Sequence, residues 1–219
     1  MKDFFIAVYT HEVKSYCDVE FFHNIANFTS NNYELHVVDN TDYTHYTDKL
    51  RTIITDCGLT ATVDHIITRP EPKPGAFHMK VLDSVNFLRD KFLQSSCKYF
   101  LIIESDVVPP IDCLERFEEV IDSADIIGGI YYRGHHKDEW FNEDHKELID
   151  SVVYSGCTLY KRNVIEQIPF NLNYNNLGMF PDTVMDSEAK SIGFSAMLYT
   201  WIKCDHMHTK FGSRQHIRR

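Results

Sequence analysis

Four apolar runs, Phe4–Tyr9, Tyr33–Val38, Ala61–Thr68 and Tyr99–Ile103, alternate with stretches whose apolar residues recur at helical spacing. No other feature of the chain constrains its fold as tightly. Continuous apolar runs are the mark of strands buried on both faces, as in parallel sheets, and parallel neighbours need a crossover that is right-handed. The intervening helices are predicted over residues 17–29 (Val19, Phe22, Ile25, Ala26), 46–57 and 76–94 (Met79, Leu82, Val85, Leu88, Phe92). Cys57-Gly58 supplies a C-cap to the second, and Pro70, Pro72 and Pro74 stop any regular element before the third. Further on, the pattern predicts a helix over 111–122, a strand at 125–131, a polar mobile loop over 133–150 and a strand over 152–160. Short helices at 161–167 and 182–192 and a last strand at 194–203 complete it. The expected fold class is α/β, with a Rossmann-like, mostly parallel central sheet and helices on both faces.

At 219 residues the chain suits one domain, residues 1–219, and buries enough surface to need no staples. Its 22 basic and 32 acidic residues give a net charge of −10, which argues against a nucleic-acid partner. The six cysteines form no CxxC pair and sit among apolar residues, as buried thiols do in a reducing compartment; their even number leaves a disulfide framework as the other reading. The apolar run after Met1-Lys2-Asp3 is too short for a signal peptide, and no window is long enough for a transmembrane segment. The expected setting is soluble and cytoplasmic.

Chemistry concentrates where the most apolar strand ends, at Glu104-Ser105-Asp106. Ligands of open α/β sheets bind beyond the carboxyl ends of strands, and residues i and i+2 of an extended segment point the same way. Glu104 and Asp106 can therefore share one hard divalent cation, which would offset the charge of a diphosphate. The other reading is an ordinary solvated acidic turn.

The segment Phe100-Leu-Ile-Ile-Glu-Ser-Asp-Val-Val-Pro-Pro110 resembles the DxD segment of GT-A-fold glycosyltransferases. Three later segments resemble the rest of that pattern in order: Ala124-Asp-Ile-Ile-Gly-Gly-Ile-Tyr131, Tyr154-Ser-Gly-Cys-Thr-Leu-Tyr-Lys-Arg162, and Pro181-Asp182 followed by Ala189-Lys-Ser-Ile-Gly193. Together they span nearly the whole chain, which is most similar to small, single-domain, family-2-like members. The resemblance implies a nucleotide-sugar half over about residues 1–110 and an acceptor half over about 111–219. It also implies a nucleotide-diphosphate sugar donor, UDP-sugar favoured, with Mn²⁺ or Mg²⁺, and a glycan, protein or small-molecule acceptor.

Residue by residue, the resemblance places the metal on Glu104, Asp106 and His206, with His208 as second choice, and the nucleotide against Thr10, Asp39, Ser105 and Asp106. Asp182 becomes the base that deprotonates the acceptor hydroxyl, which implies inversion at the anomeric carbon. The pattern departs twice: Glu104 stands where an Asp is usual, and Pro181 replaces the Glu of the usual Glu-Asp pair. Asp186, one turn on, is the substitute base, and Asp after Pro also suits a helix N-cap. Lys80 is a weaker nucleotide contact. The basic tail 210–219 either folds over the diphosphate or is a frayed end, and His135, His136, Asp138 and Glu139 are acceptor candidates. Rival readings are a nucleotidyltransferase, disfavoured by the lack of Gly after the first strand, and an Fe(II) oxygenase, disfavoured by the βα alternation. A non-catalytic sugar-nucleotide or glycan-binding module is the third, kept open by Pro181.

Overall fold

The computed structural model describes residues 2–71, 77–131, 138–141, 145–154, 156–173, 179–207 and 214–215. In chain order its elements are β1 (Phe4–Thr10), α1 (Asp18–Ala26), β2 (Tyr33–Asp39), α2 (His45–Asp56), β3 (Ala61–His65), α3 (His78–Gln94), β4 (Tyr99–Ile103) and β5 (Val107–Val108). Then come α4 (Cys113–Val120), β6 (Ile126–Tyr131), β7 (Leu148–Asp150), β8 (Cys157–Lys161), α5 (Arg162–Gln167), α6 (Pro181–Ser191), β9 (Ala196–Met207) and β10 (Arg214–Gln215). Short 3-10 turns lie at Glu12–Lys14 and Asp138–Phe141.

The strands form one sheet in the order β10-β9-β6-β8-β4-β1-β2-β3, with β5 and β7 paired to β9. Strands β3, β2, β1 and β4 are parallel, β8 runs against β4 and β6, and β9 is parallel to β6. Side-chain alternation explains the layers. Phe4, Ile6 and Val8 of β1, with Leu101 and Ile103 of β4, pack on α1, α2 and α4 through Phe21, Phe22, Leu50 and Phe117. Phe5, Ala7 and Tyr9, with Phe100 and Ile102, pack on α3, α5 and α6 through Leu88, Phe92, Val164 and Met185. The whole of β1 is buried, as a strand covered on both faces must be. The predicted α/β sheet with helices on both faces is what the chain adopts.

From β1 the chain steps outward to β2 and β3, and α3 then returns it to β4 on the other side of β1. The carboxyl ends of β1 and β4 therefore flank a topological switch point, where open α/β sheets hold ligands. Gly58 ends α2 at φ +74°, with Gly58 N–H donating to Thr55 O and Leu59 N–H to Ile54 O; this is the expected glycine C-cap.

Three expectations change. The strand predicted from residue 152 begins only at Cys157, because the backbone before it turns: Gly156 O accepts the Glu104 N–H and Tyr154 O accepts the Thr158 hydroxyl. The last strand runs to Met207 rather than 203, since β6 pairs with Lys203 and Cys204, and β5 and β10 give residues 205–207 their partners. The polar stretch 133–150 is not all loop, as β7 pairs with β9; residues 132–137 and 142–144 lie outside the described set. All six cysteines are free thiols, as the buried-thiol reading expected. Among the described residues no helix is long and apolar enough to cross a membrane.

Gly156 shows how tightly the site rests on this packing. A Cβ placed there would lie 2.5–3.0 Å from the Tyr131 ring, and that ring stands 5.8 Å from His206. Gly156→Ala should therefore destabilise the protein by about 1–3 kcal/mol, the usual cost of overpacking. Chemical denaturation checks this; an unchanged midpoint would mean that the backbone at 156 yields freely.

Candidate active site

A cavity of about 400 Å³ opens at the carboxyl ends of β1 and β4. Thr10, Glu104, Asp106, Asp182 and His206 all line it, so five of the seven residues singled out from the sequence converge there. They come from four separate stretches of chain, which only the sheet order brings together.

Glu104 and Asp106 follow β4 in a tight turn closed by Val107 N–H donating to Glu104 O. The extended-chain alternation holds here: the two carboxylates face the cavity and Ser105 between them is fully buried. The Ser105 hydroxyl has no hydrogen-bond partner among the described residues, and the Ser105 carbonyl accepts the Cys17 thiol at 3.0 Å. Beyond the turn, Val107 of β5 pairs with His206 of β9, and Asp106 O accepts the Met207 N–H at 2.8 Å. That pairing sets His206 Nε2 3.6 Å from Asp106 Oδ2. His206 thus belongs to the strand itself and does not follow it. His208 lies outside the described residues, as do His135, His136 and most of the tail. Within the tail, residues 214–215 form β10, opposite Met207 and His206.

The residue that sequence reasoning missed is Lys14. Its ammonium lies 2.8 Å from Asp106 Oδ1 and 3.4 Å from Glu104 Oε2, between the two carboxylates expected to hold a metal. Burial alone would lower the Lys14 pKa, yet Glu104 and Asp106 outweigh it and hold the ammonium firmly charged, above the usual lysine range. Burial would likewise raise the Asp106 carboxyl, but His206 and Lys14 keep it well below the ordinary carboxylate value. The signal for Lys14 lies in the β1–β4 pairing and not in the sequence around it. Ends of adjacent parallel strands share one edge, so a cation four residues past β1 is within reach of acids past β4. Among the described residues no three His, Cys, Asp or Glu side chains are arranged as a ready metal site. Two carboxylates nevertheless converge on one cation, and with an imidazole beside them the donor set suits Mn²⁺ or Mg²⁺ once the ammonium yields its place.

Asp39 and Ser105 do not line the cavity. Asp39 is buried, with Oδ1 accepting the Thr41 N–H (2.8 Å) and Oδ2 the Thr47 hydroxyl (2.7 Å), so it fixes the turn between β2 and α2. Its neighbour Asn40 reaches the wall instead, its N–H donating to Thr10 O and its side-chain amide to Ser84. Thr10 Oγ1 lies 3.4 Å from the Tyr46 hydroxyl, which donates to the buried Asp18 carboxylate at 2.8 Å. Lys80 also lines the cavity, with its ammonium donating to Asn40 O and paired with Asp42.

Elsewhere in the lining, Phe180 takes the N-cap position of α6 and Pro181 its first turn, so Asp182 is not the N-cap. Asp182 faces the cavity while its Oδ1 accepts the Thr183 N–H at 2.8 Å, a contact that suits an acid at a helix N-terminus. Asp186 lies off the cavity: Oδ1 accepts the Val153 N–H and Oδ2 pairs with Lys190 at 3.4 Å. Phe77, Phe180 and Tyr154 give the cavity an aromatic rim that the sequence had not flagged.

No protein-family model matches the sequence, and no curated protein does. Solved structures do match in fold. TarS from S. aureus (residues 1–349, in complex with UDP) superposes with a TM-score of 0.63 at 14% identity, over 93% of this chain and 59% of that one. The same protein in complex with UDP-GlcNAc gives 0.62 at 15%, over 93% and 57%. The mannosyltransferase PcManGT from Pyrobaculum calidifontis, in complex with GDP-Man and Mn²⁺, gives 0.66 at 14%, over 95% and 58%. The chain spans just under three fifths of the length of each. The architecture is thus the GT-A-like one.

The lowered Asp106 pKa carries a pH signature. A carboxyl with a depressed folded-state pKa contributes stability that is complete above the unfolded value of about 3.9 and drains away as pH falls below it. Asp106→Asn should be less stable than the wild type at pH 7, and the gap should narrow by pH 3. Urea unfolding at both pH values checks this, and a gap that stays constant would contradict the pairing.

Proposed function

We propose that this chain is a glycosyltransferase that moves a sugar from a nucleotide-diphosphate sugar to an acceptor hydroxyl, with a UDP-sugar as the favoured donor and inversion at the anomeric carbon. One observation carries the reading. The acids of the DxD-like turn and Asp182 line one cavity, at the switch point of a fold shared with structures that hold UDP, UDP-GlcNAc and GDP-Man. Residues 1–110 form the donor half in this reading and residues 111–219 the acceptor half.

Thr10, Asn40 and Lys80 form the wall on which the nucleotide rests, with Asp39 and Ser105 acting from behind it through the turns they anchor. Glu104, Asp106 and His206 are the residues that would hold Mn²⁺ or Mg²⁺, which neutralises diphosphate charge and so eases departure of the nucleotide. In the same cavity, Asp182 accepts the proton of the acceptor hydroxyl as its oxygen bonds to the anomeric carbon. The bond from that carbon to the diphosphate oxygen breaks, and its electron pair leaves with the nucleoside diphosphate. The backbone N–H of Thr183 fixes one Asp182 oxygen and so orients the carboxylate. Phe77, Phe180 and Tyr154 offer ring faces on which the acceptor can lie, whether glycan, protein or small molecule. The six free thiols support a cytoplasmic, reducing setting.

A thermal-shift screen of UDP-, GDP- and dTDP-sugars with and without Mn²⁺ identifies the donor, since a bound ligand raises apparent stability. No shift with any donor would count against the whole reading. Asp182→Asn should then cut transfer by about 10²–10⁴-fold, the usual worth of a general base, while donor binding stays near wild type. Asp186→Asn should transfer normally, because that carboxylate is turned away from the cavity. The reverse pattern would move the base to Asp186.

A further inference from the structure

Lys14 has no part in the chemistry above, yet it holds the most contested position in the cavity. Its backbone is fixed on three sides: Lys14 N–H donates to His11 O, and Lys14 O accepts both the Cys17 N–H and the Cys17 thiol. Its ammonium is one-quarter exposed and bridges Asp106 and Glu104, whose side chains are about one-tenth exposed. The other cavity ammonium, Lys80, is already engaged by Asp42 and Asn40 O. The position between Glu104 and Asp106 thus holds a cation that belongs to the protein.

From this geometry we infer that Lys14 is the protein's own counter-cation for Glu104 and Asp106, and that a divalent ion takes its place only together with a nucleoside diphosphate. The nucleotide half of this inference rests on the function proposed above. Charge decides the order. A lone divalent ion on Asp106 and Glu104 would stand beside a displaced ammonium that has lost both its partners, and like charges a few ångströms apart in a partly buried cavity repel strongly. A nucleotide alone would bring a diphosphate towards three cavity carboxylates, Glu104, Asp106 and Asp182. Bound together, the two remove both conflicts: the ion neutralises the acids, and the diphosphate becomes the new partner of the Lys14 ammonium. The two ligands are therefore linked, each raising the affinity of the other by the same factor. Lys14 is what makes the coupling large, because it penalises the ion that arrives alone.

Calorimetry on the full chain tests this with Mn²⁺ alone, UDP or GDP alone, and Mn²⁺ in the presence of either nucleotide. In the wild type, nucleotide should tighten Mn²⁺ binding by a factor within the roughly 5–150-fold span typical of coupled sites. Lys14→Met keeps the apolar stem and removes the charge. It should tighten Mn²⁺ binding in the absence of nucleotide by about tenfold and shrink the coupling, reaching into the same span from the other side. Unchanged or weaker Mn²⁺ binding by Lys14→Met would overturn the inference and leave the glycosyltransferase reading standing. So would wild-type nucleotide binding that is as tight in EDTA as in Mn²⁺, since Lys14 would then be a permanent replacement for the ion. Nucleotide binding absent under every condition would overturn both. If Lys14→Met folds poorly, Lys14→Gln removes the same charge and is read in the same way.

Discussion

The charge of Asp106 is the feature around which the ends of the fold are organised. A buried carboxylate is costly unless ion pairs and hydrogen bonds compensate it, and here the compensation comes from opposite ends of the chain. Lys14 arrives from the turn after β1, His206 from the far end of β9, and the Met207 N–H binds the Asp106 carbonyl. Among the described residues the two-residue strand β5 pairs with β9 alone, in the register that sets Val107 opposite His206.

The rest of the architecture positions that cluster. Neighbouring parallel strands β1 and β4 deliver the Lys14 turn and the acidic turn to the same edge, and the apolar faces above and below the sheet fix both strands against helices. The N-terminus of α6 brings Asp182 to the same cavity. The site is thus divided by origin: Lys14, Glu104 and Asp106 come from the ends of β1 and β4, and Asp182 comes from a helix of the chain's second half.

Much of this was legible in the sequence because it follows from local rules. Continuous apolar runs, helical spacing and the Gly58 cap are properties of neighbouring residues, and they gave the layers and the strand–helix alternation. Glu104 and Asp106 were legible for the same reason, as i and i+2 of one extended turn. Long-range pairing was harder to read. The length of β9 depends on β5 and β10, and three-residue segments such as Leu148–Asp150 are too short to carry a strand pattern of their own. Asp39 reads two ways from the sequence because an acid at a strand end also serves as a turn anchor, and its contacts with Thr41 and Thr47 make it one here. Lys14 was invisible as an isolated lysine and became meaningful only once β1 and β4 were known to be neighbours.

The central claim is that the Asp106 cluster is where a nucleotide diphosphate docks. Anomalous diffraction from crystals grown with UDP and Mn²⁺ tests it most directly. The account predicts a manganese peak bonded to the Asp106 carboxylate, with the diphosphate across the ends of β1 and β4 and the Lys14 ammonium turned from Asp106 towards phosphate. A manganese peak or a nucleotide elsewhere on the molecule, with Lys14 still bridging Glu104 and Asp106, would contradict it.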